Sequence, residues 1–187
     1  ISDGDRRRRT AAGARSYPVN IRRLRRITGI PLLAAGGTVV FIFESLIPQP
    51  VPWAKLGLAN IAGLLALYWY GFPEALAVTW LRVIIGGLFT GGLLGPGFAL
   101  GFTGGGLAVV GMWLAKLLFR SKISPIGVSI AGAAFHNLGQ VTAAYFFFIH
   151  HRSVWNILPI MLITGVATGF FVGLIGILVL ERFNKIV

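Results

Sequence analysis

Residues 155–180 read WNILPIMLITGVATGFFVGLIGILVL, a run of 26 positions without a charged side chain. A helix needs about 20 apolar residues to cross the hydrocarbon core of a bilayer. This run is long enough, and further apolar runs precede it along the chain. The predicted spans are residues 28–47, 56–72, 74–91, 97–119, 125–149 and 155–180. The sequence therefore predicts an all-α integral membrane protein built as a bundle of six transmembrane helices.

The composition also indicates a membrane protein. Of the 187 residues, 56% are hydrophobic and 12% are charged, whereas a soluble domain carries about 25% charged residues. Cysteine is absent, which excludes disulfides, thiol nucleophiles and cysteine-ligated metals. After Asp5 the chain has no aspartate and three glutamates, too few to form the carboxylate cluster of magnesium-dependent prenyl or phosphoryl transfer. We expect no catalytic residues, no bound cofactor or metal, and no independent enzyme.

Basic residues are concentrated before the first span. Nine of the 17 lysines and arginines lie in the first 26 residues. Residues 1–27 are predicted to be a disordered cytoplasmic tail near anionic lipid, and residues 28–187 the membrane domain. With the N-terminus inside, 14 basic residues fall on the inner side and 2 on the outer side, as the positive-inside rule favours. We predict a bacterial inner-membrane protein with both termini cytoplasmic and no nucleic-acid partner.

A few polar side chains interrupt the apolar spans or their outer ends. Ionisable groups in a bilayer are costly, so each needs a partner, a water-filled cavity or a function. Counting along the spans places Arg82 and His136 near the midplane, and the other members lie closer to the outer surface. The predicted binding residues are Glu44, Lys55, Asn60, Arg82, His136, Asn137 and Gln140. They predict a polar cavity that opens outward and binds a small molecule.

Alternative roles stay open for these residues. The three polar residues of the fifth span could instead bond to backbone carbonyls and fix helix packing. Arg82 could form a buried pair with Glu44, if the first and third helices are neighbours, or with Glu74. The adjacent residues His150 and His151 have diverging side chains and no accompanying carboxylate, so we predict no metal site there.

Glycines recur at intervals of four residues within the predicted spans. This spacing places small residues on one helix face, where another helix can approach closely. The glycines in question are Gly87 and Gly91, Gly101 and Gly105, and Gly165, Gly169 and Gly173. Packing within the chain is the simpler interpretation, and an interface with another subunit is the alternative.

Three segments carry a family resemblance: KLGLAN at 55–60, Arg82 with the glycines at 86–87, and HNLGQ at 136–140. Together they resemble the Gx transporter family, often labelled component I of heptaprenyl diphosphate synthase, over roughly residues 30–182. This family is similar to the S components of energy-coupling-factor transporters, six-helix bundles that bind substrate and dock on a coupling subunit and ATPases. The resemblance implies that the polar residues line or support a ligand pocket and that partner chains supply energy.

Two functions fit these features. The first is a substrate-binding and translocation subunit for a small molecule, which the donor groups Lys55, Arg82 and His136 predict to be anionic or polar. The second is a non-catalytic accessory or anchoring subunit of a membrane complex for isoprenoid or quinone synthesis or for electron transfer. One departure concerns docking, because S components use small residues four apart on their first helix, and here Ala34 is followed by Thr38.

Overall fold

The computed structural model describes residues 21–46 and 57–184, and its regular elements are all helical within these ranges. The described residues form six α-helices: α1 (Ile21–Leu46), α2 (Ile61–Trp69), α3 (Phe72–Phe89), α4 (Pro96–Phe119), α5 (Pro125–Ala144) and α6 (Leu158–Asn184). A 3-10 turn at Leu58–Asn60 precedes α2, and a π-helical turn at Tyr145–Ile149 extends α5. The predicted all-α fold is confirmed, and each helix overlaps one predicted span.

Parts of two predictions concern residues outside the described ranges. Residues 1–20 of the predicted tail and Lys55 of the predicted binding residues lie outside the described ranges. The first helix already begins at Ile21, inside the segment predicted to be the tail.

Local sequence signals set several helix ends. The Ser124 hydroxyl accepts a hydrogen bond from the Gly127 amide at 3.3 Å and caps α5, with Pro125 in the first turn. Gly71 separates α2 from α3. Its φ of 114° is a backbone conformation that glycine adopts readily and that residues with a Cβ atom rarely adopt. Gly91 follows α3 with φ 68°, as is common for the residue that ends a helix.

Within the described ranges, four segments are long and apolar enough to cross a membrane: Leu24–Leu46, Phe72–Phe89, Pro96–Lys122 and Arg152–Phe183. The predicted count of six spans is therefore not confirmed. The segment Leu58–Trp69, which contains α2, is too short, because its 12 residues rise only about 18 Å against a hydrocarbon core of about 30 Å. Helix α5 has 20 residues, but its polar residues lower its hydropathy.

Helix α2 forms the centre of the bundle. Six consecutive residues of α2, from Ala62 to Leu67, are buried, and the helix contacts α1, α3, α4 and α6. Helix α5 packs between α4 and α6. The short helix is thus enclosed by longer helices rather than exposed to lipid along its length.

Contacts between helix ends define two ends of the bundle. Arg26 at the start of α1 forms a 2.9 Å salt bridge with Glu74 at the start of α3. The Lys116 ammonium lies 3.5 Å from the Leu67 carbonyl and 3.8 Å from the centre of the Tyr68 ring. We call this the basic end, after Arg25, Arg26, Lys116, Arg120, Lys122 and Arg182. The opposite end, with the α3–α4 and α5–α6 connections, is the cavity end.

The glycine triplet of α6 packs against α5 within the same chain. A methyl group at Gly173 would lie 2.5 Å from the Ile126 Cα, and one at Gly169 would lie 2.8 Å from the Ile130 Cα. Gly165 is equally tight against the side chain of α5 that faces it. These contacts support packing within the chain, the simpler interpretation of this triplet.

The other four glycines of the predicted packing set differ from one another. A methyl group at Gly105 would lie 2.8 Å from the Thr79 Cγ2, so this glycine brings α3 and α4 together. Gly87 lies beside the connection between α3 and α4, and Gly101 has only ordinary contacts with α3. Space is open around Gly91, whose positive φ serves the turn.

Candidate functional site

A cavity of about 600 Å³ lies among the helices at the cavity end. Most of its lining is apolar and includes the aromatic rings of Phe41 and Phe98. The polar side chains in the lining are Glu44, Ser45, Asn60, Arg82, Thr90, His136 and Gln140. The volume and the mixture of apolar walls with a few polar groups are typical of small-molecule sites.

The structure brings most of the predicted binding residues to this cavity. Five of the seven line it: Glu44, Asn60, Arg82, His136 and Gln140. Lys55 lies outside the described residues, and Asn137 does not belong to the lining. These five residues are far apart in the sequence, because they come from α1, the turn before α2, α3 and α5.

Arg82 projects from α3 into the interior and is only 6% exposed. Its Nη2 donates a hydrogen bond to the Asn60 Oδ1 at 3.1 Å, and its charge is attracted to Glu44. Glycines from two other helices make room for it. A methyl group at Gly37 would lie 3.0 Å from the Arg82 Cδ, and one at Gly105 would lie 3.9 Å from its Nη2.

Glu44 stands near the end of α1 and is 4% exposed. Its Oε1 accepts a hydrogen bond from the Leu58 amide at 2.6 Å, which ties α1 to the turn before α2. Helices α1 and α3 are neighbours, the condition for Glu44 to act on Arg82. Glu74 bonds to Arg26 at the basic end instead, so of the two acidic candidates Glu44 is the one beside Arg82.

The α5 wall of the cavity presents His136 and Gln140, one helical turn apart. Gly104 of α4 lies directly against them, because a methyl group there would be 3.1 Å from the His136 Cε1 and 2.9 Å from the Gln140 Cγ. A methyl group at Gly139 of α5 would in turn lie 2.9 Å from the Gly104 Cα. These glycines let α4 and α5 pack closely beside the cavity.

Asn137 has a different role from its neighbour His136. Its Nδ2 donates a hydrogen bond to the Met161 carbonyl on α6 and lies against Gly165. The alternative given for the polar residues of the fifth span, a hydrogen bond to a backbone carbonyl that fixes helix packing, therefore occurs at Asn137. Asn137 joins α5 to α6, and its side chain is not among the cavity-lining residues.

Several contributors to the site were not identified from the sequence. Gly37 and Gly104 fall outside the four-residue spacing, although the glycine pair at 36–37 and the triplet at 104–106 were visible signals. Ser45 and Thr90 line the cavity, but their hydroxyls donate to carbonyls of their own helices at 2.7 and 2.9 Å. Such short side chains occur throughout membrane helices and gave no distinguishing signal.

The described residues contain no group of three or more histidine, aspartate or glutamate side chains arranged to hold a metal ion. Near the α5–α6 connection, the His151 Nδ1 instead accepts a hydrogen bond from the Ser153 amide at 3.2 Å. This contact caps the short 3-10 turn before α6.

Fold and cavity together define a helical membrane protein with two buried charged side chains, Arg82 and Glu44, in a cavity at one end of the bundle. The family model for heptaprenyl diphosphate synthase component I matches residues 33–179. The chain belongs to this family, which confirms the resemblance identified from the sequence segments. Comparisons with curated proteins and with solved structures return no match.

Proposed function

We propose that this protein is a membrane-embedded binding and translocation subunit that takes up a small anionic or polar molecule. The observation that carries this proposal is the convergence of Glu44, Asn60 and Arg82 with His136 and Gln140 on one cavity. Ionisable side chains inside a membrane domain are costly, and those facing a cavity mark substrate pathways. The cavity also has the volume of a small-molecule site.

The charge distribution supports uptake from outside. The basic end carries most of the lysines and arginines among the described residues, and such residues favour the cytoplasmic side. In this orientation the cavity opens on the outer side of the bacterial inner membrane. Both termini are then cytoplasmic.

We propose further that all six helices form one membrane bundle, arranged as in the S components. Helix α5 crosses the membrane between α4 and α6 and directs His136 and Gln140 into the cavity. Helix α2 lies inside the bundle, where its neighbours compensate for its short length. A coupling subunit and ATPases would drive alternating exposure of the cavity.

The family name supports a second candidate. It describes a component of a prenyl diphosphate synthase, so an accessory or anchoring subunit of a membrane complex for isoprenoid or quinone synthesis, or for electron transfer, is the alternative. In that case Arg82 and Glu44 would serve helix packing alone.

Native mass spectrometry of the protein, extracted gently from its own membrane, tests the two functions. We expect the wild-type protein to retain a small molecule together with a coupling subunit and ATPases. The Arg82→Gln variant should lose the small molecule, whereas Glu74→Gln, the same kind of change at the basic end, should retain it. Retention that is unaffected by Arg82→Gln, or prenyl-synthase or redox subunits without a small molecule, would overturn the transport proposal.

A further inference from the structure

A second concavity, of about 490 Å³, lies along α4 and shares no lining residue with the cavity. Helix α4 packs against both α3 and α5, and it supplies one side of this space with residues 102, 103, 106, 107 and 110, which lie on one helix face. Leu76 and Trp80 of α3 line it on one flank, and Thr142, Phe146 and Phe147 line it on the flank of α5. We call it the α4 groove.

The third glycine of the triplet at 104–106 creates space in this groove. Gly104 and Gly105 serve the packing of α4 against α5 and α3, as described above. The three atoms nearest to a methyl group at Gly106 would instead all belong to the Trp80 indole, the closest being Nε1 at 3.2 Å. Glycine is less favourable than alanine within a helix, so Gly106 weakens α4 locally and leaves room beside the Trp80 ring.

The lining of the α4 groove is apolar, and its polar groups are already bonded within the protein. The Trp80 indole stacks on Phe102 with ring centres 5.0 Å apart, and its Nε1 donates to the Phe102 carbonyl at 3.3 Å. The Thr103 and Thr142 hydroxyls each donate to a carbonyl of their own helix at 2.7 Å. An occupant of the groove is therefore held by apolar contacts.

The groove faces the hydrocarbon of the membrane. It lies on the segments Phe72–Phe89 and Pro96–Lys122, both long and apolar enough to cross, and Phe146 and Phe147 are 62% and 61% exposed. One turn of a partner helix, about 10–12 Å wide and 5.4 Å long, occupies roughly 420–610 Å³. The groove thus has room for about one turn, whereas a helix that crosses the bilayer has five or six. A single hydrocarbon chain is narrow and flexible enough to lie along it.

We infer that the α4 groove is a binding site for one acyl chain of a membrane phospholipid. Acyl chains surround every helix that crosses a bilayer, and an unfilled concavity would forfeit dispersion contacts along its walls. Chains in the groove contact three helices at once, so they occupy it more persistently than they occupy a convex helix face. The inference depends on the membrane location of the chain and not on the ligand of the cavity.

Photocrosslinking of the full chain in lipid nanodiscs tests this site. The probe is phosphatidylcholine with a diazirine midway along one acyl chain, present as a minor fraction of unlabelled phosphatidylcholine, and mass spectrometry locates the adducts. We expect the groove residues to carry at least about threefold more adducts per residue than Phe170 and Phe171 of α6, which are 44% and 59% exposed. Equal labelling of the groove and of α6 would overturn the inference.

Variants that fill the groove test its shape. Gly106→Leu should lower the groove adducts about threefold and leave those on α6 unchanged. Gly36→Leu is the matched control, because nothing lies within 4 Å of a methyl group at Gly36 on α1, and it should keep the wild-type pattern. Thr142→Phe fills the groove from α5 and serves where Gly106→Leu folds poorly. Groove adducts that persist at the wild-type level in the folded filling variants would contradict the inference.

Two further measurements distinguish an acyl chain from other occupants. An excess of unlabelled phosphatidylcholine should displace the probe from the groove, and displacement by geranylgeraniol alone would assign the groove to an isoprenoid chain and overturn the inference. In the membrane of the expressing cell, p-benzoylphenylalanine in place of Thr142 should capture a phospholipid upon irradiation. Capture of a second copy or of another protein would likewise overturn it.

Discussion

The Nη2 atom of Arg82 on α3 lies 3.1 Å from the Oδ1 atom of Asn60, in the turn before α2, and donates a hydrogen bond to it. Glu44 holds the same turn from α1 through the Leu58 amide. Three helices therefore meet through polar groups at the cavity end. The same groups line the cavity, so binding and stability depend on shared residues.

Arg82→Gln should lower the free energy of unfolding by about 1.5–3 kcal/mol, because it removes the hydrogen bond that the buried guanidinium donates to Asn60. The control is Arg26→Gln, which breaks the Arg26–Glu74 bridge, where Arg26 is 57% exposed. Its expected cost is below about 1 kcal/mol, as for surface pairs. Denaturant unfolding in detergent micelles measures both, and equal costs would show that the hydrogen bond of Arg82 contributes no more than the exposed bridge.

Gly37→Ala should destabilise the protein and weaken ligand retention, because the new methyl group would lie 2.9 Å from the Ala62 Cβ and 3.0 Å from Arg82. Overpacking of this kind costs about 1–3 kcal/mol. The adjacent Gly36→Ala is a close control, since nothing lies within 4 Å of its added methyl group. Thermal unfolding and native mass spectrometry of both variants test this prediction, which fails if the two variants behave alike.

Asn137→Ala and Gln140→Ala should affect different properties: the first should mainly lower stability, and the second should mainly reduce ligand retention. Loss of the Asn137 hydrogen bond to the Met161 carbonyl should cost about 1 kcal/mol of stability and leave ligand retention unchanged. Gln140 lines the cavity, so its truncation should reduce retention with a smaller change in stability. The two variants are compared by thermal unfolding and by the fraction of chains that keep the small molecule. Loss of retention in Asn137→Ala alone would reverse these assignments.

The membrane orientation can be tested by labelling, because the chain has no cysteine. Leu94→Cys places a thiol at the cavity end, where Leu94 is 84% exposed, and Lys122→Cys places one at the basic end. In spheroplasts, an impermeant maleimide should label Leu94→Cys directly and Lys122→Cys only after lysis. The reverse pattern would place the cavity opening on the cytoplasmic side and exclude uptake from outside.

The helix positions were predictable because long apolar runs and their Gly and Pro boundaries are local properties. The number of membrane spans was not, since α2 is too short to cross by itself and depends on the helices that enclose it. Hydropathy along the sequence does not distinguish a helix buried in a bundle from one that faces lipid.

Most of the polar residues of the cavity were predictable for a physical reason. Polar side chains are rare in this chain, and Arg82 and His136 are costly in a membrane unless they serve a purpose. Asn137 could not be separated from His136, because adjacent residues point about 100° apart on a helix and the direction of the cavity was unknown. The proximity of Glu44 to Arg82, and the glycines around them, depend on which helices are neighbours.

The short central helix has a mechanical consequence. One end of α2 is fastened through Asn60 to Arg82, and the other through the Leu67 carbonyl and the Tyr68 ring to Lys116. The segment Leu58–Trp69 is about 18 Å long, and a shift of one residue along its axis moves both of its ends by about 1.5 Å. A ligand that displaces Asn60 is therefore expected to move the opposite end of the segment and to alter the Lys116 contacts at the basic end.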